Sequence, residues 1–373
     1  MLALPVQTAA SGFMYSLMGI FLCWSFMTYT GLLLVEATLW VKNETHFSSL
    51  SRILVGNGTR ILALLVYLAM NYLSLVAYTA GGAALIKHQV LAHTGLELNY
   101  EIACLLFTLF FGSLIFLGAQ IVGKMNLLFM VGLGVTYFCL VGLGINHVEM
   151  SRLAFKPSWT EGLGIFSIIL ATFSYQMVVP SVCLHLNYDA QKLKKAIILG
   201  TSIPFVVYSL WLFVIHGVVP LEGEHGLLAA LDRGASATEP LRAHFGHWSL
   251  AALSDFFAFF AIVTSYLGLS LALFYFLKDC FQEVKINMSR NGIIIASIVP
   301  TLLLAMMFPK ALVQCLDISG GYGDTILSGL IPITMVWVGR YRKKLTGEFK
   351  VPGGKLGLSL AAAFYLFIFL LQF

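Results

Sequence analysis

Residues 171–182 read ATFSYQMVVPSV, and this stretch, set in the middle of an apolar run, decides the fold. Ser174, Tyr175 and Gln176 are consecutive, so on a regular helix they point in three directions about 100° apart and at least one meets lipid or packed neighbours. Pro180 has no N–H to offer the Gln176 carbonyl. Two readings fit. In one, a proline kinks an intact helix whose hydroxyls bond back to the preceding turn. In the other, the chain unwinds around 173–177, and freed backbone and side chains line a hydrated cavity, as in the broken helices of secondary transporters.

Outward from this stretch the chain is a membrane sequence. Of its 373 residues 59% are hydrophobic and 10% charged, and the mean hydropathy is +0.89. A spanning helix needs about 20 apolar residues. Such windows recur near 12–41, 60–86, 99–119, 122–145, 162–186, 195–217, 249–277, 291–308, 310 or 325–339, and 356–373. The opening MLALPVQTAAS makes a helix only about 16 Å long, too short to span. With that piece pointing outward, most of the 22 Lys and Arg fall in cytoplasmic loops, including Lys192, Lys194, Lys195 and the 340–355 group. The positive-inside rule supports this register. The net charge of +5 is therefore topological; no arginine-rich segment or recognition motif points to nucleic acid. The six cysteines lie in apolar segments without a C-x-x-C pair, which reads as buried apolar residues and leaves no metal or cofactor site. No nucleophile, base and orienting partner converge, so enzymatic chemistry is not expected.

Polar residues inside the apolar runs are few and therefore informative. Thr264-Ser265 can coordinate a sodium ion or bond between helices. Asn71, Ser74 and Tyr78 share one helix face, fit either for a ligand or for the packing that Gly81-Gly82 continues. Glu36 sits near a helix end, within reach of the interface, and Asp255 near the outer interface. The 218–248 loop, with one short helix expected at 226–232, reads equally as a lid or as a solvated connector.

Residues 317–327, DISGGYGDTIL, raise two further possibilities. Gly321-Tyr322-Gly323-Asp324 matches part of a potassium filter, but Ser319-Gly320 stands where the Thr-Val normally precedes it. A channel built on 309–324 also leaves eight helices without a role. The Gly-x-Gly-Asp pattern of intramembrane aspartyl proteases needs a second aspartate nearby, and Tyr188-Asp189 lies at the opposite interface. The remaining reading is a glycine-rich break or outer turn, with Asp317 and Asp324 in water.

Taken together, MLALPVQTAASGF, TYTGLLLVEA, the run ATFSYQMVVPSVCLHLNYDAQKLKKAIILGTSIPFVVYSLW and AIVTSYLGLSLALFYFLKDCFQ resemble the bacterial tyrosine- and tryptophan-specific permeases of the aromatic amino acid permease family. The likeness is collinear over essentially the whole chain. It implies an all-α integral membrane protein with the inverted five-helix repeat of the leucine-transporter fold plus one extra helix, the first half of helix 1 being missing. As a single polytopic domain over 1–373 it divides into a truncated first repeat at 1–145, a second repeat at 160–345 and an extra helix at 356–373. The resemblance further implies a multi-pass secondary transporter of the bacterial inner membrane that imports tyrosine or tryptophan by alternating access, coupled to a proton in preference to sodium. It places Phe173, Ser174, Tyr175, Gln176, Ser74 and Tyr78 at the substrate and makes Thr264 and Ser265 candidates for the coupling ion. Two departures stand out. The glycine-rich stretch that precedes the Met-Leu-Ala-x-Pro run in the family is absent, which leaves an inactive, truncated paralogue as an alternative. The 125–145 segment also lacks the lysine that some proton-driven relatives carry in the fifth helix.

Overall fold

The computed structural model describes residues 1–42, 46–154, 163–245, 248–283 and 285–373; the expected start of the second repeat, residue 160, lies outside them. Among the described residues there are helices and no strands, as a bilayer requires of a chain that closes no barrel. Eight helical segments are long and apolar enough to cross a membrane. They are α1 (Gly12–Val41), α2 (Asn57–Thr94), α3 with its wide-turn extension (Tyr100–Leu117), α4 (Ala119–Gly144), the pair α5 (Ile165–Thr172) and α6 (Val179–His185), α7 (Ala190–Val218), α8 (Trp248–Glu283) and α9 (Arg290–Met307). Two further helices follow, α10 over 311–342 and the 17-residue α11 (Gly354–Leu370), and shorter ones lie between the spans. Large apolar side chains stay exposed along α4, among them Leu127, Leu128, Val131 and Phe138, a surface suited to lipid.

The chain forms two compact units that interleave its sequence. The first comprises 1–13, 71–156 and 211–316. One cluster of its core is made of small residues, Val76, Ala80, Ala83, Ala103, Cys104, Ala305 and Ala311, which let the helices approach closely where lipid supplies no hydrophobic drive, beside large buried rings such as Trp211, Phe257 and Tyr266. Gly82 lies under the Phe107 ring, where a methyl group would collide, and Gly132 likewise lies under Phe260. Tyr72 and Tyr100 donate to the α9 carbonyls of Ala296 and Ala305 at 2.8 and 3.0 Å. The outer 218–248 segment carries the expected short helix, at Leu227–Arg233, and a second at Thr238–Phe245. It is tied down within this unit: the Ala237 N–H donates to the Leu2 carbonyl at 3.0 Å, and Arg242 pairs with Asp255 at 2.7 Å. Gln89 on α2 donates to the other oxygen of Asp255 at 3.0 Å.

The second unit comprises 14–70, 157–210 and 317–373. Here α1 is the centre. Gly19 takes the Ile165 and Ile169 side chains of α5, Thr28 meets Thr201 of α7 at 2.9 Å, and Phe26 stacks on Phe364 of α11 with centroids 4.1 Å apart.

Two expectations are overturned in this unit. Residues 319–330 are not a turn or break but a helical stretch with wide, i to i+5 turns, continuous with the rest of α10. In lipid, backbone groups left unbonded cost several kcal/mol each, so even three closely spaced glycines stay helical. Their bareness serves packing instead: a methyl at Gly320 would strike the Ser167 carbonyl, one at Gly323 the Met70 side chain, and one at Gly329 the Tyr365 ring. Asp324 is accordingly 1% exposed rather than in water, and Asp317 is half-buried and accepts a hydrogen bond from Ser167. A helical GYGD presents no row of outward carbonyls, so it is no filter; the Tyr322 hydroxyl donates to the Gln372 carbonyl at 2.9 Å. Glu36, placed by its sequence within reach of the interface, is 1% exposed and held by Arg340, whose Nε donates to Oε1 at 2.7 Å. The Val351 N–H donates to Glu36 Oε2, also at 2.7 Å, and the Val351 carbonyl accepts from Arg340 at 2.8 Å.

Candidate substrate site at the helix break

The helical geometry that begins at Ile165 stops at Thr172. Phe173, Ser174 and Tyr175 are non-helical, Gln176–Val178 form one tight turn, and α6 then starts with Pro180 in its first turn. That is where a proline belongs, since its missing N–H is one that a helix start leaves unbonded in any case. Local chemistry settles the loose backbone. The Tyr208 hydroxyl of α7 donates to the Thr172 carbonyl at 3.0 Å, and the Tyr175 N–H donates to the Gln176 side-chain oxygen at 3.1 Å. The remaining Gln176 amide hydrogens reach α1, at the Met27 carbonyl (3.2 Å) and Thr30 Oγ1 (3.4 Å). Tyr175 donates to the same Met27 carbonyl at 3.0 Å, over Gly31, where any side chain would collide with its hydroxyl.

Three of the four break residues face open space. A cavity of about 320 Å³ between the break and α7 is lined by Phe173, Ser174, Tyr175, Thr201, Pro204 and Tyr208, among others. That volume lies at the small end of ordinary ligand pockets. Phe173 and Tyr208 meet edge to face, with centroids 5.3 Å apart. Gln176, in contrast, is fully buried and shapes the break from behind. In the other unit, Tyr78 is half-buried on α2. Thr264 donates to the carbonyl of Phe260 in its own helix at 2.7 Å, and Ser74 is half-buried on α2.

One residue of this region escaped the sequence reading. Asp324 Oδ1 accepts from Ser174 in the break at 2.6 Å and from Ser328, one turn along α10, at 2.8 Å. Its other oxygen has no hydrogen-bond partner among the described residues. A signal was available: an aspartate followed four residues later by serine, within a run whose far side, ILSGLIPITMVWV, is too apolar for a surface turn.

A membrane-embedded helix broken at midpoint, with paired polar groups and a cavity beside it, is the construction of a secondary active transporter. The chain belongs to the tryptophan/tyrosine permease family, whose model matches residues 1–372. Among its relatives, the tyrosine-specific transport system 2 of Haemophilus influenzae is 26% identical, over 100% of this chain and 92% of that protein. The glutamine transporter 2 of Aliivibrio fischeri is 27% identical over 100% and 95%. The solved structure of Mhp1, a nucleobase-cation-symport-1 family transporter, in a closed conformation with bromovinylhydantoin bound, matches with a TM-score of 0.65 at 13% identity, covering 100% of this chain and 88% of that one; the two share their fold. The protein is thus a multi-pass transporter of the bacterial inner membrane and not an enzyme.

Proposed function

We propose that the chain imports tyrosine or tryptophan together with a proton, and that the break at Phe173–Tyr175 is where the substrate is held. The observation that carries this reading is the loss of helical geometry at those three residues beside a cavity of about 320 Å³. Phe173 and Tyr175 offer ring faces and edges to an aromatic side chain, worth about 0.5–1.5 kcal/mol per well-placed pair beyond area burial. The ends of α5 and α6 flank the break and offer their backbone dipoles to the ammonium and carboxylate. Gln176 acts by holding the break open. The roles of Ser74 and Tyr78 toward substrate and of Thr264 and Ser265 toward the ion, and the division into repeats at 1–145 and 160–345 with an extra helix at 356–373, rest on the family resemblance. Hydroxyls of the Thr264 and Ser265 kind ligate sodium but do not take up a proton near neutral pH, so the preference for a proton calls for another group.

The test is uptake of radiolabelled tyrosine and tryptophan into vesicles containing the purified protein, with unlabelled glutamine as competitor and either a pH or a sodium gradient imposed. Saturable uptake of an aromatic amino acid, driven by the pH gradient and lost in Tyr175→Ala, is expected. Uptake of glutamine in preference to both aromatics overturns the substrate assignment, and uptake driven by sodium alone overturns the ion assignment.

A further inference from the structure

We infer that Asp324 on α10 is the group that takes up the coupling proton and passes its effect to the substrate break through Ser174. The inference rests on the transport reading above and adds the coupling residue. Three observations meet at this side chain. Asp324 is buried in a membrane-embedded helix and forms no ion pair among the described residues. A bare carboxylate in such a place costs several kcal/mol unless a cation joins it. Both of its hydrogen bonds go to one oxygen, Oδ1, which leaves Oδ2 without a partner among the described residues. Finally, one donor to Oδ1 is Ser174, the middle residue of the three that leave helical geometry, so the state of the carboxyl is felt at the break itself.

The surroundings favour a proton over a metal cation. The two hydroxyls bonded to it, Ser174 and Ser328, both donate to the carboxylate, the arrangement that suits an anion able to take up a proton at its other oxygen. Of the titratable groups around it, Tyr365 of α11 acts on Asp324 and carries no positive charge, and the side chains that bond Asp324 are the hydroxyls of Ser174 and Ser328. Other buried ionisable groups are committed: Glu36 to Arg340, and His216 to the Pro5 carbonyl at 3.0 Å. Hydrogen bonds to an ionised carboxylate are roughly twice as strong as those to a neutral one. Proton loss therefore tightens Ser174 onto α10, and proton uptake loosens it, so the break is held in two strengths that alternate with the proton.

The experiment uses the full chain in vesicles with an entrapped pH dye. For a symporter moving one proton per substrate, a gradient of one pH unit supports about tenfold accumulation. The parent is expected to reach that ratio and to acidify the lumen when tyrosine or tryptophan is added outside. Asp324→Asn is expected to lose both accumulation and acidification and to show homoexchange, at a reduced rate, that no longer varies with pH. Asp324→Glu is expected to keep acidification. Accumulation by Asp324→Asn on a pH gradient overturns the inference, as does sodium-driven accumulation by the parent with no lumen acidification. If Asp324→Asn fails to fold, Ser174→Ala and Ser328→Ala stand in: each removes one donor to Oδ1, and a pH profile of exchange unchanged in both overturns the inference. Absence of any aromatic exchange by the parent removes the transport reading, and that result is separate from a parent that exchanges without moving protons.

Discussion

The ion pair of Glu36 and Arg340 gives a sharp energetic prediction. Glu36 is 1% and Arg340 4% exposed, and the pair fastens α1 to α10 and to the chain at Val351. Glu36→Gln keeps an oxygen for the Val351 N–H but removes the negative charge, which leaves a buried guanidinium uncompensated. Breaking a buried pair in this way costs about 3–5 kcal/mol, a large share of a total stability of about 5–15 kcal/mol. Adding Arg340→Met removes the stranded charge and leaves only neutral groups short of a partner, the Val351 carbonyl newly so, at about 1–3 kcal/mol. The double variant is thus expected to be more stable than Glu36→Gln alone, although it carries one more substitution. Graded detergent denaturation followed by tryptophan fluorescence measures this, because Trp40, packed against Gly339, and Trp337, beside Tyr341, report on the region. The reasoning fails if Glu36→Gln falls within about 0.5 kcal/mol of the parent, the range of an ordinary surface change, or if the second substitution adds its full cost to the first.

Gly320→Ala places a methyl against the Ser167 backbone carbonyl, which cannot swing aside, and is expected to cost about 1–3 kcal/mol in the same titration. Gly142→Ala, with open space around it, is the control and is expected to be neutral or stabilising. Tyr208→Phe strips the Thr172 carbonyl of its donor and is expected to raise amide hydrogen exchange at 173–175 selectively; unchanged exchange there refutes that role. Asp189 caps α7, and the backbone N–H groups of Lys192 and Gln191, with the Lys192 ammonium, hold its carboxyl below the usual range. Its contribution to stability is therefore complete above about pH 3.9, the unfolded value, and is lost as pH falls through the lower folded value. Asp189→Asn should flatten the acid limb of a stability-against-pH curve and leave the neutral region nearly flat, as a scan of denaturation midpoints checks.

The spans and the break were legible in the sequence because both follow from local chemistry. Apolar windows mark the helices, and three consecutive polar residues before Pro180 mark the place where a helix cannot satisfy itself. Gln176 was legible as polar but not in its direction, since its partners on α1 lie 146 and 149 residues away. The 319–330 stretch was misread for a definite reason. Glycine propensity, about 1 kcal/mol per residue, argues for a turn in water, but the larger penalty on unbonded backbone in lipid overrides it, and only the tertiary neighbours reveal what the missing side chains make room for. Asp324 went unnoticed with it. The second outer helix, Thr238–Phe245, has a Thr-Glu-Pro start that signals a helix N-terminus and was passed over within a polar loop. Glu36 finds its counter-charge 304 residues later, a pairing that no single-chain pattern announces.

The Met27 carbonyl receives both the Tyr175 hydroxyl and the Gln176 amide, so two consecutive residues of the break share one anchor. The hinge is therefore not free-standing: reorienting α6 either carries α1 along or gives up two bonds at once. Spectroscopic labels on these two helices tell the cases apart: a separation that stays constant through a transport cycle means that α1 travels with α6, and one that changes means that both bonds are given up.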